Sequence, residues 1–418
     1  MVPEEFIPTE THEQYINALN KLGLSSSALG QEWIEASEKA LSKPMNIESP
    51  YAENFYFDPS KANSLGYKVS IKKGQKIRIE VNMESNEDLK TFLDVFRIEN
   101  AETGIFHKIA SSHDQETQLV IESNIDTEYI IRFQTELLRG GNFSISIQTG
   151  PSLAFPVSGR NNSDIGSLFG APRDGGRRKH HGIDIFAKRH TPIIAPTDGY
   201  IRFAGNRGLG GTVIWMRDEE RRQTLYFAHL QELLVEKGDY VSIGDTIGTV
   251  GNTGNARTTP PHLHFGIYQN GPKDPYHYVA YTRTKPKREL ADHSKVGLTL
   301  RTKNDTQLKL NGTTNSASSL SLKKHQILEV IGSTSTFYRV RLPDEQEGYI
   351  SYNQLESLDE EIRVVSSDKT IALLDNPLED AHNIKELEGK DRLRVLGKDK
   401  NFQLVENSEG LIGWMKAI

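Results

Sequence analysis

The sequence predicts a mainly β, multidomain protein, because strand patterns dominate it and only one short region shows a helical pattern. Between Tyr51 and Gly150, apolar residues alternate with polar ones, which is the period of a half-buried strand. From Phe155 to Tyr281, short runs of β-forming residues alternate with glycine-rich turns, and such spacing is typical of antiparallel sheets. The length of 418 residues is sufficient for about two to four domains.

Residues 1–48 are predicted to form a helical hairpin. The first helix ends at Gly23, and the second ends before Pro44. Because a hairpin of this size is too small to fold alone, we expect it to pack on another domain. We interpret Trp33 as a core residue of this hairpin. The apolar residues at helical spacing are Tyr15, Ala18, Leu19 and Leu22 in the first helix, and Trp33, Ala36 and Ala40 in the second.

Residues 50–150 are predicted to form an antiparallel β-sandwich. Their alternating segments are separated by turn sequences such as Lys73-Gly74 and Arg139-Gly140-Gly141, which is the pattern of short strands joined by tight turns. In general pattern, this stretch resembles the pre-peptidase β-sandwich domains of secreted bacterial proteases.

The C-terminal part contains an internal repeat with an offset of 65 residues and no gap. A tandem repeat of this size predicts a duplicated small domain, with copies at residues 292–358 and 359–418. Each copy ends in a glycine, an aromatic residue and Ile or Met, and it resembles the bacterial SH3-like barrels that often target cell walls. The matching residues are Leu328, Val330, Gly332, Phe337, Val340, Gly348, Tyr349 and Ile350, and Leu393, Val395, Gly397, Phe402, Val405, Gly413, Trp414 and Met415.

Tyr349 and Trp414 have two interpretations, since an aromatic residue at this position either fills the core of its barrel or forms a platform for a ligand. We favour the core interpretation. The segment from Lys285 to Arg288, which includes Pro286, is interpreted as the linker that precedes the barrels.

Composition excludes several classes of function. Fifty Lys and Arg residues against 56 Asp and Glu residues give a net charge of −6, so the chain lacks the basic surface of a general nucleic-acid binder. The absence of cysteine excludes disulfides, thiolate metal sites and cysteine nucleophiles. No apolar run is long enough to cross a membrane, and Met1 to Glu5 do not resemble the start of a signal peptide.

Two short spacings in the glycine-rich region indicate a metal site. They are His180-x-x-x-Asp184 and His262-x-His264. Residues i and i+2 of a strand share a face, so both histidines of the second pair can point into one cleft. Two imidazoles and one carboxylate match a catalytic zinc site, which keeps its fourth position open for water.

The motifs around these spacings occur in an order that resembles the lysostaphin-type zinc peptidases, the duplicated-hybrid-motif proteins of family M23, which cut peptides of bacterial cell walls. The resemblance covers about a third of the chain and assigns residues 151–285 to a β-rich zinc peptidase domain. The motifs are Phe169-Gly170-x-Pro172-Arg173, His180-x-Gly182-x-Asp184, Ala195-Pro196-x-Asp198-Gly199, Tyr226-x-x-His229-Leu230, Gly251-x-Thr253-Gly254 and Pro261-His262-Leu263-His264-Phe265.

The resemblance implies a role for five residues. His180, Asp184 and His264 fall on the ligands of a single zinc ion, and His229 and His262 fall on the two catalytic histidines. One catalytic histidine, for which we favour His262, would take the proton of the zinc-activated water and return it to the leaving amine. The other would stabilise the developing charge. No metal or catalytic role is assigned to His181, His190 or His277.

The activity implied is that of a zinc metalloendopeptidase acting on peptidoglycan peptides outside the cytoplasmic membrane, either in the periplasm or at the cell wall. Relatives that cut glycyl-glycine bonds carry a tyrosine shortly before the first ligand. Here residues 173–179 have no aromatic residue but four basic ones, which favours cross-links between stem peptides, whose carboxylates they could meet. The alternative interpretation of this basic stretch is a solvated surface loop.

The resemblance leaves one alternative function open. Some members of this family are non-catalytic activators of wall amidases, and a pure cell-wall-binding protein is a third possibility. Because all five functional positions are intact, we favour the enzyme. The N-terminal region is a candidate inhibitor of the cleft, and the sequence gives no oligomeric state.

Overall fold

The computed structural model describes residues 11–83, 89–100, 105–112, 117–281, 290–310, 319–366, 368–388 and 391–417. Strands predominate in it and helices are few, so the predicted mainly β class is confirmed. No helix in these ranges is long and apolar enough to cross a membrane. The linker predicted at Lys285 to Arg288 lies outside the described residues.

Two helices form where the spacing predicts them: α1 is His12–Lys21 and α2 is Ala28–Ser42. The side chain of Thr11 accepts a hydrogen bond from the backbone N–H of Gln14, and the Gln14 side chain accepts one from the Thr11 N–H. This reciprocal pair caps the first helix. Leu22 is 72% exposed, contrary to the predicted apolar stripe, because the helix ends at Lys21 and Leu22 is its C-cap.

The hairpin packs on the neighbouring sheet through Trp33, which is a core residue as predicted. Trp33 is only 2% exposed, and its indole Nε1–H donates to the carbonyl oxygen of Thr135 at 2.8 Å. Leu19 and Phe92 complete the buried cluster between the helices and this sheet. The sheet therefore supplies the partner that so small a hairpin requires.

Residues 45–151 contribute strands to two sheets that enclose one apolar core. The first sheet has the order β1-β3-β8-β5-β6, and the second includes the run β2-β9-β4-β7. Strand β1 lies within the predicted helical segment 1–48, because residues 45–46 pair in parallel with β3. The strands are β1 Met45–Asn46, β2 Tyr51–Phe57, β3 Ser64–Ile71, β4 Gln75–Met83, β5 Thr91–Asn100, β6 Ile105–Ser111, β7 Gln118–Glu122, β8 Thr127–Thr135 and β9 Gly141–Pro151.

The following region builds its own sheets around a second apolar core. The main sheet has the order β10-β13-β21-β17-β16-β15-β19, with β22 beside β21, and a smaller sheet has the order β14-β20-β18. Its elements are β10 Ile165–Ser167, β11 Pro172–Arg173, β12 Arg178–Lys179, β13 Ile183–Phe186, β14 Pro192–Ile194, β15 Gly199–Asn206, β16 Thr212–Asp218, β17 Gln223–Ala228, β18 Leu230–Leu233, β19 Tyr240–Val241, β20 Thr246–Val250, β21 His262–Tyr268, β22 Pro272–Lys273 and the short helix α3 Tyr276–Val279.

The sequence repeat is also a structural repeat. Both copies contain a three-stranded antiparallel unit, β26-β27-β28 and β33-β34-β35. Both units have a register irregularity ending at the same repeat position, Gly332 in one and Gly397 in the other. The strands are β23 Thr299–Thr302, β24 Thr306–Lys309, β25 Ser319–Leu322, β26 Ile327–Ser333, β27 Phe337–Arg341, β28 Glu347–Ser351, β29 Leu355–Glu356, β30 Arg363–Val365, β31 Ile371–Leu374, β32 Asn383–Leu387, β33 Leu393–Asp399, β34 Phe402–Glu406 and β35 Ile412–Lys416.

Strand β2 pairs with β26, so the second sheet continues from the N-terminal region into the first repeat. A buried ion pair lies at this junction, where Arg339 Nε donates to Glu53 Oε1 at 2.6 Å. The hydroxyls of Tyr51 and Tyr67 donate to the other oxygen of Glu53 at 2.9 and 2.7 Å. Because every group in this network is buried, the junction tolerates the removal of a partner poorly.

We predict that Arg339→Met destabilises the protein by about 3–5 kcal/mol, since it leaves the Glu53 carboxylate buried without its cation. Adding Glu53→Gln should recover part of this loss, because the remaining group is then neutral. The free energies of unfolding would be measured by chemical denaturation.

The matched control is Lys72→Met, which breaks an exposed ion pair of 3.2 Å with Asp126. Exposed pairs contribute about 0–1 kcal/mol. Equal effects of the two single substitutions would contradict a special role for the buried pair.

Candidate functional site

Antiparallel pairing brings the two predicted metal motifs together. Strand β13 pairs with β21 so that Asp184 lies opposite His264, and β17 places Ala228 on the other side of His264. The alternate residues Ile183 and Phe265 are completely buried in the core of the region. Since successive side chains of a strand point to opposite faces, Asp184 and His264 lie together on the face opposite this core.

His180 approaches from the segment that precedes β13. Its ring Nδ1 lies 2.9 Å from the carbonyl oxygen of Leu168, and a carbonyl can only accept, so Nδ1 carries the proton. Gly182 allows the close approach, because a Cβ there would lie 2.8 Å from His264 Nε2 and 2.4 Å from the Phe265 carbonyl oxygen. The Nε2 lone pair of His180 therefore faces His264 and Asp184.

Three ligand atoms form a nearly equilateral triangle. His180 Nε2 lies 3.0 Å from Asp184 Oδ1 and 2.9 Å from His264 Nδ1, and the remaining side is 3.1 Å. Ligand atoms that lie about 2.0–2.2 Å from a tetrahedral zinc ion are roughly 3.4 Å from one another. The three atoms here therefore have nearly the spacing of zinc ligands and are slightly closer together. This is the one His/Asp/Glu group in the described part of the chain with the geometry of a metal site.

The chemistry of the donor set also fits a cation. Because His180 Nδ1 carries a proton, the neutral ring has an unshared pair on Nε2 that points at a carboxylate oxygen. Two acceptors in contact are unfavourable unless a proton or a metal ion lies between them. The residues present therefore fit a zinc ion, with Leu168 fixing the tautomer of one ligand as outer partners of metal-bound histidines do.

Asp184 is held in its ionised form. Burial raises its pKa, but the interactions with the His180 and His264 rings outweigh burial and hold the pKa well below the ordinary value. Its second oxygen accepts a hydrogen bond of 2.7 Å from Arg173, which also donates to Ser167 Oγ at 2.7 Å. Arg173 therefore fixes the carboxylate so that Oδ1 alone faces the histidines.

The other two predicted residues, His229 and His262, face the same cleft. His262 Nδ1 donates to the carbonyl oxygen of Pro260, and His229 Nδ1 donates to that of Thr253, both at 2.9 Å. The ring centroids are 5.1 Å apart, and His262 Nε2 lies 4.0 Å from Asp184 Oδ1. In the neutral form of each ring the proton is therefore on Nδ1, and Nε2 can accept a proton beside the candidate metal site.

His229 is neutral over the physiological range. Burial, reinforced by the nearby rings of His262 and His264, lowers its pKa from 6.5 to about 4. Burial also lowers the pKa of His264. Neutral imidazoles are the form required of a metal ligand and of a general base.

The cleft has a volume of about 530 Å³, and all of its lining residues lie between positions 167 and 268. Arg173, Arg178 and Lys179 supply positive charge, and Asp184 is the sole carboxylate among the residues that line it. Tyr226 and Tyr268 also line the cleft. Both pack against Trp215, at centroid distances of 4.4 and 5.3 Å. The cleft therefore offers both cationic and aromatic contacts.

The structure brings together all five residues singled out in the sequence. Sequence analysis missed the contact of Arg173 with Asp184. It also missed the carbonyl groups that orient the rings, because any type of residue can supply a backbone carbonyl. His181 lines the cleft but does not belong to the group formed by His180, Asp184 and His264. His190 lies outside the cleft, 3.4 Å from Glu232.

Comparison with known proteins agrees with this geometry. Residues 178–275 match the sequence profile of Peptidase family M23. We call this region the M23 domain after that match. It is similar to the L-Ala–D-Glu endopeptidase of Bacillus subtilis, with 36% identity over 31% of this chain and 44% of the relative. It is also similar to the peptidoglycan DD-endopeptidase ShyC of Vibrio cholerae, with 39% identity over 24% of this chain and 22% of the relative.

A structural match to the catalytic domain of lysostaphin from Staphylococcus simulans has 34% identity and a TM-score of 0.24, and it covers 26% of this chain and 86% of that domain. The matches with the two curated relatives span less than half of each relative's length.

We predict that His264→Ala abolishes stoichiometric zinc binding, since it removes one of three ligands. The loss of affinity should exceed the roughly 10- to 100-fold caused by losing an outer-shell partner. Zinc per chain would be measured by elemental analysis after reconstitution and dialysis.

His190→Ala is the matched control, because this exposed histidine belongs to the same domain but not to the cluster. Equal zinc contents in the two variants would disprove the ligand assignment.

Proposed function

We propose that the M23 domain is a zinc-dependent metalloendopeptidase that hydrolyses peptide bonds of bacterial peptidoglycan. The observation that carries this proposal is the convergence of His180, Asp184 and His264 within 3.1 Å of one another, with His229 and His262 facing the same cleft. The names of the relatives supply the substrate, since both are endopeptidases and one of them is named for peptidoglycan.

The proton transfers follow from the tautomers. A bound zinc ion would activate a water molecule and polarise the peptide carbonyl. His262, which lies 4.0 Å from Asp184 through its Nε2, accepts the proton of the attacking water on that atom and returns it to the leaving amine. The hydrogen bond from its Nδ1 to the Pro260 carbonyl stabilises the imidazolium form that exists between the two transfers.

His229 faces the same space with the same tautomer. Its Nε2 is an acceptor in the neutral ring, so His229 would first take up a proton from solvent at Nε2 and would then donate that N–H to the developing oxyanion. Because the ring centroids of His229 and His262 are only 5.1 Å apart, both rings can contact the same reacting group. We therefore assign proton transfer to His262 and charge stabilisation to His229.

The charge of the cleft favours an anionic peptide. Arg173, Arg178 and Lys179 line it, and its one carboxylate is already bound to Arg173 and the histidines. Stem peptides carry free carboxylates, whereas a pentaglycine bridge carries none. We therefore propose stem-peptide bonds, including the D-alanyl bond to a diamino acid, as the substrate, and an extracytoplasmic location, where peptidoglycan lies.

We predict that zinc-loaded wild-type protein releases un-cross-linked peptides from purified sacculi. His262→Ala should reduce turnover by about 10²- to 10⁴-fold, which is the usual contribution of a general base, and it should retain zinc because its ring is not a ligand. His229→Ala is expected to fall in the same range. Products from stem-peptide and glycine-bridged sacculi would be separated by chromatography.

His190→Ala serves as the control and should keep full activity. Wild-type protein that holds zinc but cleaves neither type of sacculus would favour the alternative, a non-catalytic activator of wall amidases. A third explanation is that the N-terminal region inhibits the enzyme. In that case, a truncated protein beginning near Gly150 would be more active than the full chain.

A further inference from the structure

Two glycine-containing loops are locked together beside His229. They are residues 207–211, before β16, and residues 251–257, before β21. Gly211 and Gly254 both have φ of +67°, and a Cβ on Gly211 would lie 2.3 Å from the Gly254 nitrogen and 2.5 Å from Thr253 Oγ1. The two loops therefore meet backbone to backbone at a place where only glycine fits.

The Thr253 hydroxyl joins this contact to a third segment. It accepts a hydrogen bond of 2.9 Å from the backbone N–H of Thr212 and donates one of 3.0 Å to the carbonyl oxygen of Leu230. It thus ties the first residue of β16 to the first residue of β18 through the loop that precedes β21. A hydroxyl is suited to this task because it donates and accepts at once.

The backbone carbonyl of the same residue orients the ring of His229, accepting its Nδ1–H at 2.9 Å. The backbone of His229 has φ of +66°, a conformation that residues other than glycine seldom adopt. Its N–H donates to the carbonyl oxygen of Gly210 at 2.9 Å. His229 is therefore held at both its backbone and its ring by the two interlocked loops.

We propose that Thr253 is a positioning residue for His229: its hydroxyl fixes the loop, and its carbonyl then holds His229 in the tautomer whose Nε2 accepts a proton in the cleft. This inference rests on the proposed function for its effect on catalysis. It adds a residue that contacts no metal ligand and is not among the five functional positions. The competing explanation is that Thr253 only stabilises the loops.

Two substitutions separate these explanations. Thr253→Ser keeps the hydroxyl, whereas Thr253→Val keeps the shape of the side chain and removes both hydrogen bonds. The matched control is Thr249→Val, since Thr249 lies on β20 of the same domain, outside the residues lining the cleft, and its hydroxyl has a single long contact of 3.5 Å with Glu232. All three variants would be made in the full chain and loaded with zinc.

The kinetic measurement is kcat and KM on a soluble cross-linked muropeptide, with zinc content measured in parallel. We expect Thr253→Val to lower kcat by about 10- to 100-fold, the effect of a small displacement of a catalytic group. KM should stay within about twofold and zinc content should not change, because His180, Asp184 and His264 are untouched. Thr253→Ser should restore kcat, and Thr249→Val should not change it.

The second measurement does not depend on activity. Nitrogen NMR of the histidine rings, assigned with His229→Gln, should show a protonated Nδ1 on His229 in the wild type and in Thr253→Ser. In Thr253→Val this ring should become a mixture of tautomers. If the wild type cleaves no substrate, the proposed function fails, while this measurement still decides the positioning role.

Three results would overturn the inference. One is an unchanged His229 tautomer in Thr253→Val, and another is a kcat of Thr253→Val equal to that of Thr253→Ser. The third is a parallel loss of zinc and melting temperature in Thr253→Val, since that pattern indicates a general loss of structure.

Discussion

The register between β13 and β21 is the constraint on which the site depends. It places Asp184 opposite His264, and these two residues supply two of the three ligand-type atoms of the candidate metal site. The same register buries Ile183 and Ile185 against Leu263 and Phe265 in the core. A slip of one residue would turn these apolar side chains into the cleft and Asp184 into the core. The packing of the core and the assembly of the candidate metal site therefore depend on the same pairing.

Backbone carbonyls orient three of the four histidines in one way. His180, His229 and His262 each donate Nδ1–H to a carbonyl oxygen, those of Leu168, Thr253 and Pro260. Each of these rings consequently presents Nε2 to the cleft. His264 differs, since it faces the cluster through Nδ1 and its Nε2 lies close to Gly182. Of the three residues of the candidate metal site, His264 alone lies on the central strand β21, and the ring nitrogen that faces the other two residues is the one nearer to its own backbone.

The sequence predicts the ligand set more completely than its surroundings. The spacing of His262 and His264 directly encodes a shared strand face, and the family motifs identify His180 and Asp184. Two of the three carbonyl acceptors lie 12 and 24 residues away from the rings that they orient, and any residue type can supply a carbonyl. The positive φ of His229 is equally hidden, because only a small minority of histidines adopt that conformation.

The domain junction shows a similar limit. The alternating pattern of β2 places Glu53 on the same inward side as Tyr51 and Phe55. The pattern therefore indicates that the Glu53 carboxylate is buried, and a buried carboxylate needs a partner. Nothing in the sequence identifies that partner as Arg339, 286 residues away. Long-range pairing between domains depends on how complete surfaces fit, and local periodicity carries no information about that fit.

This junction also bears on how the repeated units can contact a wall. The Tyr349 hydroxyl lies 3.0 Å from that of Tyr51, and the equivalent Trp414 packs with Ile327 of the first copy. Both aromatic residues are buried, but each lies at a contact between units and not in the core cluster of its own copy. If the pair binds peptidoglycan, it does so through other faces.

The N-terminal region and the M23 domain are connected by Arg221, whose Nε lies 2.9 Å from both oxygens of Glu122. Neither residue lines the cleft. In the described structure, the surrounding domains thus contact the M23 domain without contributing to the lining of its cleft, and the chemistry of the site is confined to residues 167–268.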